Sequence, residues 1–272
     1  SVLADLPDSI DCSEMTLPAQ NPFIPQNLNF TAAKDEPARR PCCLIEEEAF
    51  TLWYKQDDLF ELPKSQVNLF FRSREGLISS SALASQSAAL FKDLLKHTLV
   101  LYDATLAGLK FDFAALAEGF EIKISGFSDK IPVLLEAILK ALLQPAFNEV
   151  DFEVVKDRQL RTLRNFPREA PYWHASFHLN GLIAEPFHSV AARIEALQGM
   201  NTADWIATFN APGYFFGQIS NFGPVEMLVH GSFTEGEAMN LSGLVKYFLP
   251  QAGLPSTWRQ MIIELPLGDH CY

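Results

Sequence analysis

The chain has 272 residues, of which 48% are hydrophobic, 20% are charged and 22 are Phe, a composition that supports a sizeable core and excludes a disordered polymer. A net charge of -12 repels phosphate backbones and anionic lipid, so neither nucleic acid nor a membrane is an expected partner. Four cysteines, Cys12, Cys42, Cys43 and Cys271, are too few for a disulfide scaffold and make a reducing compartment such as the cytoplasm the default.

Residues 1–41 contain six of the 17 prolines, which fix φ and remove backbone donors. This segment reads as an extended strap or interdomain linker, laid against a body through Phe23, Ile24, Leu28 and Phe30. Its first twelve residues carry three Asp and no base, unlike a signal or transit peptide. Regular structure starts near Leu44. Phe50 to Tyr54 reads as an aromatic strand, Gln56-Asp57-Asp58 as the turn of a hairpin, and Gln66 to Arg72 as its second strand. Residues 79–101 carry leucines at mostly helical spacing behind the capping serines Ser79 to Ser81.

Strands at 110–116 and 120–126 follow, joined at Glu118-Gly119. In the second, Phe120, Ile122 and Ile124 alternate with Glu121, Lys123 and Ser125, which predicts one buried and one wet face. Helices are expected at about 130–143, 148–165, 169–184 and 201–210, then a strand at 226–230, a helix at 235–248 and a strand at 259–264. The apolar stretch Ile131–Leu143 is interrupted by Glu136 and Lys140 and is too short to span a bilayer. Arg158, Arg161 and Arg164 read as a solvated helix face, and Arg39-Arg40 as a local basic pair. Hairpins with long helical runs indicate an α+β fold, a largely antiparallel sheet under a layer of helices. A proline-rich strap at one end and a bare strand at the other are expected of a piece of a longer polypeptide.

Catalytic patterns are missing. None of the six histidines lies in His-x-x-Glu-His or His-Glu-x-x-His, and there is no nucleophile elbow or phosphate loop. His174 and His178 share a helix face at zincin spacing, with Glu185 two turns further along the same stripe. Position 175 is Ala, though, where such a protease needs its glutamate base. Surface or capping roles are therefore expected for these histidines. Glu46-Glu47-Glu48 and Asp57-Asp58 are dense in carboxylates, but neighbours on a strand diverge, and a solvated turn is the expected setting of the aspartates. Trp53, Tyr54 and Phe60 could form a peptide platform, against the commoner reading of strand aromatics as core. No catalytic, cofactor-binding or metal residue is assigned.

Several segments in register resemble one family. Leu52-Trp53-Tyr54-Lys55-Gln56-Asp57-Asp58, Phe60 and Leu62-Pro63-Lys64 resemble a segment of the insulin-degrading enzyme and pitrilysin (insulinase-type) zinc metallopeptidases. Asn21-Pro22-Phe23-Ile24-Pro25, Leu106-Ala107-Gly108-Leu109 after Tyr102 and Ala104, and Gly126-Phe127-Ser128-Asp129-Lys130 before Pro132, Leu134 and Leu135 are similar to others in the same order. Asn165-Phe166, Pro171 and His230-Gly231 continue it, so the likeness runs from about residue 20 to 264; Asp103 is a departure with no role attached. The resemblance implies a metallohydrolase fold of the pitrilysin and mitochondrial processing peptidase type, and the third of four related domains that close around a peptide. It implies a single middle domain over 42–264 and the start of a linker at 265–272. The zinc belongs to another domain of the parent, and the remaining domains and peptide substrates are the implied partners. The alternatives are a free-standing peptide- or protein-binding module of the same fold and a small hydrolase using His174 and His178. An excised domain should also self-associate through Trp258, Met261 and Ile263 or through Tyr214-Phe215-Phe216.

Overall fold

The structure, a computed structural model, describes residues 20–31, 39–73, 78–99, 102–211, 222–248 and 261–263. Its centre is a mixed sheet of β1 (Cys42–Glu47), β2 (Phe50–Gln56), β3 (Lys64–Ser73), β4 (Lys110–Leu116), β5 (Gly119–Phe127) and β7 (Phe222–Gly231), in the order β1-β2-β7-β3-β5-β4. Each central strand alternates. Leu52 and Tyr54, then Val67, Leu69 and Phe71, then Ile122 and Ile124, then Val225, Met227 and Val229 all point into the core. The fold class is the α+β arrangement read from the sequence, with β2 and β7 forming a parallel pair in a mostly antiparallel sheet.

One sequence expectation fails here. β2 and β3 are not a hairpin: β7 lies between them, parallel to β2 with Trp53 opposite Leu228, and antiparallel to β3 with Asn68 opposite Leu228. The connection through Asp57 therefore spans two strand spacings, about 10 Å, rather than one. It crosses the end of β7, where Asp57 N–H donates to the Gly231 carbonyl at 2.9 Å and Ser232 N–H to that of Lys64 at 3.1 Å. Local turn chemistry cannot report an insertion by a strand that lies so far along the chain.

The expected solvated turn is also corrected. Asp57 is 5% exposed, and its Oδ1 accepts from the N–H groups of Leu59 (3.1 Å) and Phe60 (3.2 Å). Burial pushes this carboxyl up, but the backbone N–H groups of Leu59, Phe60, Leu62 and Glu61 outweigh it and hold it below its ordinary value. Asp58 faces water and pairs with Lys55 at 2.9 Å.

The helices lie on one face: α1 (Ala82–Thr98), α2 (Tyr102–Leu106), α3 (Ile131–Leu143), α4 (Glu149–Asn165), α5 (Pro171–Ile183), α6 (Val190–Gln198), α7 (Thr202–Phe209) and α8 (Glu235–Phe248). Caps fix several starts: Ser81, Asn148, Ser189 and Asn201 each accept an N–H from the first turn of α1, α4, α6 and α7. The helix read over 79–101 stops at Thr98 and resumes as α2, and α6 has no counterpart in the sequence reading. Only Leu197 of α6 is buried, so it shows little apolar periodicity. α3 packs on β5 and α8, and α1 on β4, α4 and α6. Phe91 of α1 meets Phe113 and Phe120 edge-on, each at 6.1 Å, which anchors the helical layer to β4 and β5. Among the described residues no helix is long and apolar enough to cross a membrane.

The described part of the strap lies against this body. Phe23 packs on the core, Thr31 N–H donates to Ser232 Oγ at 2.9 Å, and Asp129 accepts from Gln26 N–H at 2.8 Å. That bond from Gln26 is the largest influence on the Asp129 carboxyl, which sits below its ordinary value. Of the strand expected at 259–264, the described residues hold β8 (Met261–Ile262), paired with β6 (Ala184–Glu185) in a separate ribbon.

The crossing at the end of β7 can be tested by substitution. Replacing Asp57 by Ala leaves the N–H groups of Leu59 and Phe60 without their buried acceptor, an expected loss of about 2 kcal/mol in urea melts at pH 7. Asp58→Ala stays within about 0.5 kcal/mol. Because the folded pKa of Asp57 is depressed, its contribution is full above its ordinary value of 3.8 and fades as pH falls through the lower folded value. The advantage of the wild type over Asp57→Asn should shrink accordingly in melts at pH 3 to 4. Gly231 has φ +127, and a Cβ there would lie 2.5 Å from the Lys64 carbonyl oxygen. Gly231→Ala should cost about 3 kcal/mol, whereas Gly243→Ala inside α8, with nothing within 4 Å, should gain about 1 kcal/mol in the same melts.

Candidate functional site

Alternation leaves the second sheet face without helices. Across its middle, Trp53 of β2 stands beside Leu228 of β7, then Asn68 of β3, Lys123 of β5 and Asp112 of β4. The next row runs Thr51, Glu226, Phe70, Glu121 and Ala114. Trp53 is 41% exposed, and with Phe70, Leu228, Asn68 and Arg40 it lines a shallow concavity of about 480 Å³. Apolar rings there sit beside amide and charged groups, a surface suited to extended peptide rather than to a compact apolar ligand.

The charges on this face are fixed. Arg72 donates to Glu226 Oε1 from Nε at 2.8 Å and from Nη2 at 2.6 Å, reaches Glu118 at 3.3 Å, and lies 5.1 Å from the Phe70 ring centre. That clamp holds Phe70 and Glu226 in one orientation without burying an unpaired charge. Tyr54, the neighbour of Trp53, points the other way and donates its hydroxyl to the Phe233 carbonyl at 2.7 Å. Burial first, then the charge of Glu235, pushes its phenol up to about 12. The proposed aromatic trio therefore divides: Trp53 is on the open face, Tyr54 is core, and Phe60, 69% exposed, is on the loop after Asp57.

The remaining candidates do not converge. Glu46, Glu47 and Glu48 are exposed on β1 and its turn, with Glu47 paired to Lys246 at 2.7 Å. Arg39, Arg40, Arg158, Arg161 and Arg164 are solvated. Cys42 and Cys43 are free exposed thiols. His174 packs its ring on Phe166 at 4.5 Å, and His178 is edge-on to Phe177 at 5.6 Å. Glu185 does not extend their stripe: α5 ends at Ile183, and Glu185 belongs to β6, opposite Met261 and ahead of Pro186. The residue before a proline favours extended backbone, which ends the helix short of Glu185. Among the described residues no three His, Cys, Asp or Glu side chains gather to hold a metal, so this donor set does not fit a zinc ion.

A surface the sequence reading missed is α5 itself. None of its 13 residues is buried, and Tyr172, Trp173 and Leu179 are each more than half exposed. Between Tyr172 and Ile183 its aromatic and aliphatic residues alternate with His174, Ser176, His178 and Asn180, so its sequence marks no single apolar face. Ile263 is exposed beside it and donates its N–H to the Ile183 carbonyl at 2.7 Å. Trp258 and Tyr214-Phe215-Phe216 lie outside the described residues.

Comparison with known proteins gives a consistent set. The family model described as the middle or third domain of peptidase M16 matches residues 2–196. Human insulin-degrading enzyme is 31% identical over 232 residues, covering 85% of this chain and 22% of that protein. The A-factor-processing enzyme of Saccharomyces cerevisiae is 30% identical over 248 residues, covering 87% of this chain and 22% of its own length. The structure of pitrilysin matches with a TM-score of 0.79 at 21% identity, over 91% of this chain and 26% of that one. A structure described as a peptidase M16 inactive domain, from Pseudomonas fluorescens, matches with a TM-score of 0.58 at 15% identity, over 84% and 54%. At these identities the two structures speak for the fold, while the family model and the curated relatives speak for descent. The chain belongs to the insulinase and pitrilysin family of peptidases, M16, as its middle or third domain.

Proposed function

We propose that this chain forms one wall of a peptide-holding chamber in an insulinase-type zinc metalloendopeptidase, supports enclosure of the substrate, and breaks no bond itself. The observation that carries the reading is the one-sided sheet. Helices cover the face of Leu52, Leu69 and Ile122, while the face of Trp53, Phe70 and Leu228 stays open as a broad, partly apolar surface. The zinc and its chemistry are assigned to another domain of the parent. Residues 1–41 serve as strap or linker, 42–264 as one domain, and 265–272 as the start of the next connection.

The partners in this reading are peptides and the other domains of the parent. The exposed face of α5 supports the second, because Tyr172, Trp173 and Leu179 form an apolar surface that a free-standing module would leave in water. It is also the observation that weighs against such a module.

Two measurements test the reading. In the full-length peptidase, Trp53→Ala with Phe70→Ala should raise KM for a long peptide about tenfold, with kcat and melting temperature close to wild type. An unchanged KM would remove the open face from substrate binding. The 272-residue chain alone should self-associate with rising concentration in analytical ultracentrifugation, and Tyr172→Ser with Trp173→Ser should shift it towards monomer. A strictly monomeric wild type would argue for the free-standing module.

A further inference from the structure

A second concavity, of about 430 Å³, lies where α1, α5 and the β6–α6 connection meet the turn between β4 and β5, on the helical side of the sheet. Its chemistry is unusual for this chain. The protein has 33 acidic and 21 basic residues, yet the described lining contains Arg193 and Lys92 and no acid. Lys92 is already held by Asp93 at 3.1 Å. Among the described residues Arg193 has no ion-pair partner. Its Nε donates to the His188 carbonyl at 3.0 Å and its guanidinium lies 5.6 Å from the Phe177 ring centre. Among the described residues neither terminal nitrogen has an acceptor and no carboxylate reaches it. A guanidinium carries five N–H donors, so four remain open. Burial alone pushes its pKa down from the usual arginine value, with no neighbouring charge to offset it.

Gln86 of α1 supplies the second observation. It is 6% exposed, lines the same space, and makes no side-chain hydrogen bond among the described residues. Its amide N–H groups border the cavity, where they can donate to a ligand acceptor. Two carbonyls of the wall are already engaged: that of Ser79 meets His188 Nε2 at 2.8 Å and that of His188 meets Arg193. Ala88, Ala89, Ala115 and Phe187 add apolar surface to the lining, and Ser85 and Asn180 add small polar groups.

We propose that this cavity binds an oxyanion, carboxylate or phosphate, carried on a small apolar body, with Arg193 gripping the anion and Gln86 donating a further hydrogen bond. A planar guanidinium presents paired N–H groups that match either oxyanion. The site is independent of the open sheet face and of the chamber reading.

The test uses the complete chain, with inorganic phosphate, isovalerate and neutral isovaleramide as probes in calorimetric titrations at low salt. One-to-one saturation by isovalerate or phosphate, and none by isovaleramide, is expected, at the millimolar affinity typical of so small a ligand. Tighter binding of phosphate assigns a phosphorylated ligand, and tighter binding of isovalerate a carboxylate. Arg193→Gln should weaken either by about tenfold or more. Gln86→Glu, which puts a carboxylate into the same cavity, should abolish binding and raise the melting temperature. Absence of saturation by both anions up to about 10 mM, or equal affinity in well-folded Arg193→Gln, would overturn the assignment. So would undiminished binding in Gln86→Glu.

Discussion

The seating of β7 between β2 and β3 is the constraint on which the architecture depends. Three chain segments must meet at its end: the exit of β2, the entry of β3 and the exit of β7 into α8. Gly231 allows the close approach, since its φ is positive and a Cβ there would come within 2.5 Å of the Lys64 carbonyl oxygen. Asp57 then gathers the backbone donors of the crossing loop, and Ser232 ties β7 to β3 through Lys64 and to the strap through Thr31. β5 ends beside them, with Ser128 N–H on the Pro63 carbonyl and its hydroxyl 2.7 Å from that of Ser65. α3 and α8 both start from this junction, so their mutual packing is a consequence of where β5 and β7 stop.

A sheet built this way has an obligatory face and an optional one. The inner face must accept α1, α3 and α8, and it is filled by aliphatic and aromatic side chains with exposures near zero. Changes there cost cavities or overpacking. The outer face answers only to cross-strand pairing, and its charges are mostly settled among themselves, as in the Arg72, Glu226 and Glu118 group. It is therefore free to carry recognition chemistry without endangering the fold.

Legibility in the sequence followed the range of the interaction. β5 was readable because Phe120, Ile122 and Ile124 alternate with polar residues within one strand. α3 and α8 were readable for the same reason at helical period, and the starts of α1, α4 and α7 carry side-chain caps. The β2–β3 hairpin was misread because nothing near Gln56 records that β7 will enter from the far end of the chain. Asp57 looked like a solvated turn residue because its burial depends on that same entry. For the candidate site, Trp53 could be singled out, but its partners Leu228, Asn68 and Phe70 come from other strands and only register brings them together. The apolar character of α5 was visible, whereas its exposure was not, since composition does not say what a helix packs against.

The two concavities face different electrostatic problems. On the open sheet, water reaches the charges and most are paired nearby, as Arg72 is with Glu226 and Glu118. In the cavity beside α1 the cation is half-buried and lacks a counter-charge among the described residues, so its desolvation is offset only by the His188 carbonyl and the Phe177 ring. A chain with an excess of acids could supply a carboxylate there at little cost in composition, yet the described lining has none. Stability alone would favour filling that position, by an acid beside Arg193 or by an apolar residue in place of Gln86. Arg193, without a counter-charge among the described residues, and Gln86 on the wall beside it therefore stand as a local conflict between packing and polarity, the kind that folded proteins retain where a ligand completes the structure.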